Sequence, residues 1–130
     1  HMSTILMLVL LGGCIIMLLA LQAPQRRSQA QADSADQHLR QAGSHLLRNE
    51  LDQAHAHFQS ALYQARQAGA VLYEAEAFYG MAEVAEKKGD FQSALAQMKA
   101  AQALKPQLDP YKPNFTSLID RRVEELEKLV

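Results

Sequence analysis

Hydrophobic and polar positions divide the chain into an apolar head and a periodic body. From Ile5 to Leu21 no charged residue interrupts a run of 17 positions, which neutral Met2–Thr4 and Gln22–Ala23 extend. At ~1.5 Å per residue the run would form a helix of ~26 Å, close to the ~30 Å of a bilayer's hydrocarbon. It is apolar on every face, whereas a core helix of a small soluble domain carries a polar stripe. The pattern predicts a transmembrane anchor over 3–23. The chain then turns polar, lacks aromatics and contains Pro24. This predicts a linker or stalk over 24–33, part helical from Gln25, with Ser34 capping the next helix.

From residue 34 the apolar positions recur at helical spacing, and two stretches of the body repeat each other at a constant offset. NELDQAHAHFQSALYQA, from Asn49, aligns with GDFQSALAQMKAAQALKP, from Gly89. The alignment sets Asn49 on Gly89, Leu51 on Phe91, Ala54 on Ala94, Phe58 on Met98 and Ala61 on Ala101. Helices are predicted near 34–48, 51–68, 71–88 and 91–104, with Gly69 as a break. The alanines allow close helix approach, while Leu51, Phe58, Leu62, Phe91, Leu95 and Met98 supply buried bulk. Two such units leave an open end that needs capping, and 114–130 can supply the cap. Asn114 suits an N-cap after Pro113, and Phe115, Ile119, Val123, Leu126 and Val130 form one apolar stripe. The same stripe could instead be a seam for a second copy or a partner. Lys105–Pro113, with three prolines, reads as a stiff loop, its main part at 107–113.

These residues resemble the tetratricopeptide repeat family of helix–turn–helix units. In that family a small residue sits in the first helix and Gly-Asp-aromatic forms the turn. Alanine, a large apolar residue and alanine follow in the second helix, which a proline ends. The second copy carries this pattern as Ala82, Gly89-Asp90-Phe91, Ala94, Met98, Ala101 and Pro106. The first departs from it: His38 and His45 replace large apolar residues, Gln41 replaces leucine and Arg66 replaces the proline. The step from Asn49 to Gly89 is also longer than the family's usual period of ~34. Spanning about 35–106, the resemblance implies an all-α fold, in which an N-terminal transmembrane helix precedes a two-repeat helical hairpin array (34–106) and a C-terminal capping helix. It also implies a groove lined by the first helix of each repeat, here Asp36, Arg40, Gly43 and Leu47, then Glu76, Tyr79, Glu83 and Lys87. Members that grip a C-terminal carboxylate use Lys, Arg and Asn there. Glu76 and Glu83 fall in those places, so the groove suits a basic or mixed-charge peptide or helix, with Tyr79 the foremost contact.

Charge and chemistry narrow this picture. A formal net charge of −1 and a pI near 6.6 give no electrostatic footprint for nucleic acid. Cys14 is the single cysteine, which excludes an intramolecular disulfide. His1-Met2 reads as a tag remnant. Arg26 and Arg27, directly after the apolar run, place the body in the cytoplasm by the positive-inside rule. Leu11-Gly12-Gly13-Cys14 is similar to a lipobox, which would make Cys14 a lipidation site and the body periplasmic. The missing basic start and the apolar continuation Ile15–Leu19 weigh against it. His38, His45, His55 and His57 lack the i, i+4 spacing of helical metal ligands and read as surface or packing residues. Neither cofactor, metal nor enzymatic activity is expected.

The layout resembles the membrane-anchored repeat adaptors of the bacterial inner membrane, the lipopolysaccharide-assembly B type among them. That resemblance implies an adaptor that recruits a protein partner and meets membrane lipid through 5–21, with homo-oligomerisation an open alternative. Two other readings stand beside it. One is a structural subunit packed through its anchor and C-terminal helix. The other is an envelope lipoprotein assisting pilus or outer-membrane assembly.

Overall fold

A computed structural model describes residues 2–130, leaving aside the side chains of residues 2 and 18–25. His1 of the expected tag remnant lies outside the described residues. The elements are α1 (Met2–Leu47), α2 (Leu51–Ala68), α3 (Val71–Lys87), α4 (Phe91–Gln102), α5 (Lys105–Leu108) and α6 (Pro113–Glu127). The described residues form no strand, and the chain is all-α. The C-terminal half of α1 packs on α2 as a first hairpin, and α3 packs on α4 as a second. The hairpins join through α2 on α3 and α1 on α3, and α6 closes the array against α4.

The connections repeat one backbone solution at even intervals along the body. Asn49 (φ 58°), Gly69 (φ 67°) and Gly89 (φ 79°) are all left-handed, a conformation open to glycine and tolerated by asparagine. After each, a backbone N–H reaches back to a carbonyl of the finished helix: Glu50 to His45, Ala70 to Ala65 and Asp90 to Ala85, each at 2.9 Å. This is the 6→1 bond of a Schellman closure, which satisfies orphan carbonyls at the helix end. The next helix begins at once, through Ala54 N–H to Glu50, Glu74 N–H to Ala70 and Ala94 N–H to Asp90, each 3.0 Å.

Alanines set how closely the helices lie. Ala35 and Ala75, Ala42 and Ala82, Ala54 and Ala94, and Ala61 and Ala101 form four pairs at the repeat offset. All eight are at most 1 % exposed. Around them Phe58, Phe78, Met81, Val84 and Met98 fill one core, which Ile119, Val123 and Leu126 of α6 complete. The α2–α3 junction needs a glycine: a Cβ at Gly80 would stand 2.2 Å from Phe58 Cε1.

The head departs from the expected organisation. Helix α1 runs without interruption through Pro24 and Ser34, so the expected stalk is helix and Ser34 caps nothing. Among the described residues no helix is long and apolar enough to cross a membrane. This overturns the expected transmembrane helix. The apolar run with described side chains, Ile5–Met17, makes about 20 Å of helix against the ~30 Å required. Leu18–Ala23, which the expected anchor also included, lies outside the described side chains.

The C-terminal segment differs in detail. The proline-rich loop contains the single turn α5, with Pro106 in its first turn. Helix α6 starts at Pro113 with Lys112 at the N-cap and no side-chain cap, which puts Asn114 inside the helix rather than at its cap. Thr116, 1 % exposed, donates its hydroxyl to the Pro113 carbonyl at 3.0 Å. Ile119, Val123 and Leu126 are buried in this chain's own core, and Phe115 packs against it. The stripe therefore offers no open seam to a second copy or partner; Val130, beyond the helix end, is exposed.

Candidate functional site

Of the expected groove residues, Tyr79, Glu83 and Lys87 come together on α3 where α6 returns beside it. Tyr79 lies one turn from both Glu76 and Glu83 on α3, since residues three and four apart share a helix face. Its ring packs on Phe115 of α6, centroids 5.8 Å apart and tilted by 57°. Beside it a cavity of about 410 Å³ is lined by Tyr79, Glu83, Glu86 and Lys87 from α3 and Arg122 from α6. Arg122 bridges to Glu86 and Glu125, tying α6 to α3. The bond to Glu86 above all holds its guanidinium proton more firmly than usual.

Two carboxylates on this face remain outside that network. Glu76 and Glu83 are half-buried, and no hydrogen bond or ion pair reaches either from the described residues. Burial pushes the Glu83 carboxyl up; Arg122 pulls it down and Glu86 adds to the rise. Burial also pushes Glu76 up, with Asp36 of α1 adding to the rise and Lys112 opposing it. The Tyr79 phenol is raised by burial first and by Glu83 second. A half-buried carboxylate without a hydrogen bond or ion pair costs the fold desolvation, which Arg122 at Glu83 and Lys112 at Glu76 offset only in part.

The other expected residues fall around this centre. Asp36 approaches Glu76 and takes an ion pair from Arg40 at 3.0 Å. Gly43 faces open space. Leu47, 91 % exposed, ends α1 and does not line the cavity. Arg26 and Arg27 are solvent-exposed on α1, as is Cys14. Sequence reasoning missed Arg122 and Lys112, which reach the face only because α6 folds back beside α3. A cationic position bordering the α6 stripe was the one available signal.

The histidines, expected as surface or packing residues, include a packed group. His38, His45 and His57 come together between α1 and α2. Among the described residues no group of three or more His, Cys, Asp or Glu is arranged to hold a metal ion. No protein-family model, curated protein or solved structure matches the chain.

Proposed function

We propose that the chain is an adaptor of the tetratricopeptide repeat type. It binds a basic or mixed-charge peptide or helix on the face formed by α1, α3 and α6, and it acts by binding, without chemistry. The observation that carries this is the pair of half-buried carboxylates without a hydrogen bond or ion pair, Glu76 and Glu83, one turn either side of half-buried Tyr79. A cationic partner side chain would supply the missing counter-charge, and the aromatic ring would supply apolar and cation–π contact. The alanine-paired hairpins and their left-handed turns support the repeat assignment.

The head of α1 supports a location at a membrane surface. Ile5–Leu11 and Ile15–Met17 are each 57–68 % exposed, on all sides of the helix. So much uncovered apolar surface favours contact with lipid. Arg26 and Arg27 follow at a distance that suits anionic headgroups, in keeping with hairpins on the cytoplasmic face of a bacterial inner membrane. Confinement there raises the effective concentration of the groove toward partners in the same plane.

Photo-crosslinking tests the groove. A benzophenone amino acid at position 79 of the full chain should capture a partner, and Glu76→Lys with Glu83→Lys should abolish the capture. Capture that survives both reversals would sink the acidic-groove reading. Flotation with vesicles containing anionic lipid tests the membrane reading: the full chain should float, and a variant with Leu8, Leu11 and Ile15 changed to Asp should not.

A further inference from the structure

In the first helix of the first hairpin, three core positions of the second hairpin are replaced by polar residues. At the repeat offset, His38 stands where Phe78 stands, Gln41 where Met81 stands and His45 where Ala85 stands. Phe78, Met81 and Ala85 are all buried. Into the corresponding space between α1 and α2 the chain inserts a third imidazole, His57 of α2. Its Nδ1 lies 3.0 Å from His38 Nδ1, and its ring stacks on His45, centroids 5.3 Å apart and planes 9° from parallel. All three are half-buried.

That contact is sensitive to protons. An N···N hydrogen bond needs one nitrogen with a hydrogen and one without, so it exists with no charge or one charge on the pair. A second proton sets two N–H groups and two positive charges against each other at 3.0 Å, with His45 stacked on the same ring. Nearby charges do little to compensate. From the α1–α2 turn, Glu50 faces His45 at 3.6 Å but is paired with Arg48, whose Nη2 also lies 3.4 Å from His45. From α2, His55 is a further titratable group, and Asp52 beside it is held by Lys88 at 2.7 Å. Across the α2–α3 junction, α3 contributes the apolar Phe58–Gly80 contact. Burial first, then the like charges of His38 and His45, lower the His57 pKa.

We propose that His38, His45 and His57 form an acid-sensitive catch. With the imidazoles hydrogen-bonded and stacked they clip α1 to α2, and excess protons on the cluster drive the two helices apart. The sign follows from the lowered His57 pKa. Between the ordinary value near 6.5 and the lowered folded value, the open state binds more protons than the closed one. Closure is therefore fully present above about 6.5 and weakens as pH falls through that window. The second hairpin, with Phe78 and Met81 in the same places, lacks the device. Because α1 carries Asp36 and Arg40, opening also dismantles one wall of the groove; the catch itself stands whether or not that groove binds a partner.

Hydrogen exchange read by mass spectrometry on the full chain in mild detergent tests this. Protection factors, corrected for intrinsic rates, are compared at pH 7.5 and 5.5. Protection over 35–47 and 54–61 should fall at least tenfold at the lower pH, while 75–85 and 94–101 change less than threefold. His57→Gln keeps a non-titrating hydrogen-bonding group opposite His38 and should reduce the tenfold loss to less than threefold. His38→Phe, which copies the second hairpin, should do the same and guards against a poorly folded Gln variant. Equal losses in both hairpins, no loss in the first, or a full tenfold loss in either substituted chain would overturn the proposal.

Discussion

The two hairpins share a backbone and differ in filling. Each has four alanines buried at the same offsets, and each ends its first helix in a left-handed residue. Small residues and turn residues set the approach of the helices, and that is what repeats. The large positions are free to vary: the second hairpin spends them on Phe78, Met81 and Met98, and the first on Phe58 and an imidazole cluster. Geometry is therefore common to both, and pH response belongs to one.

The largest effect is expected where the hairpins touch. Gly80→Ala would ordinarily stabilise a helix by about 1 kcal/mol. Here the new methyl meets the Phe58 ring at 2.2 Å, in a core without slack. A net loss of about 2 kcal/mol is expected in urea unfolding. A gain would show that Phe58 can leave its place and that the hairpins are less interlocked than described.

An exchange of turn residues sharpens the comparison on a smaller scale. Asn49→Gly should stabilise the first hairpin by about 0.5 kcal/mol, because glycine tolerates positive φ without Cβ strain. Gly89→Ala should destabilise the second by about 1 kcal/mol for the converse reason. Equal and negligible shifts in melting temperature would mean that the left-handed geometry at 49 and 89 is not held in solution.

The smallest effect concerns the groove. Burial raises both Glu76 and Glu83, so the folded state holds protons the unfolded state has released. These groups reduce stability most above their raised folded values, and that loss is relieved as pH falls through them toward the ordinary value near 4.3. Glu76→Gln and Glu83→Gln should each stabilise the protein at pH 7.5 by under about 1 kcal/mol. They should also flatten the change of stability with pH just above the ordinary carboxyl range. Destabilisation at pH 7.5 would show that the carboxylates are satisfied within the fold. His57 acts with the opposite sign, so the carboxylate effect is best read in the His57→Gln background.

Much of the array was legible because its signals are local. Asn49, Gly69 and Gly89 mark turns by their own backbone preferences, and the expected helices at 51–68, 71–88 and 91–104 end close to the ends of α2, α3 and α4. The same local logic misplaced the start of the body. Pro24 and Ser34 are helix-boundary residues, yet the helical propensity of their neighbours carries α1 past both. The pairing of the histidines was hidden for another reason. Spacing along one helix says nothing of a partner across a hairpin, and His38 meets His57 only after the chain has turned at Asn49. Arg122 was hidden likewise, because its approach to Glu86 depends on how α6 returns. The apolar head was legible as apolar, but the described part of it is too short to span a bilayer.

The joint shared by Asn49, Gly69 and Gly89 also has a consequence for growth. Each joint closes one helix and opens the next with the same backbone bonds, so a helix pair can be copied or removed at Asn49 and Gly89 without creating a new end. Length then becomes a variable that duplication can change one helix pair at a time, with α6 serving whatever pair comes last. The imidazoles show the other half of this economy: once a pair has been copied, its interior can drift toward a new chemistry while the joints keep the shape.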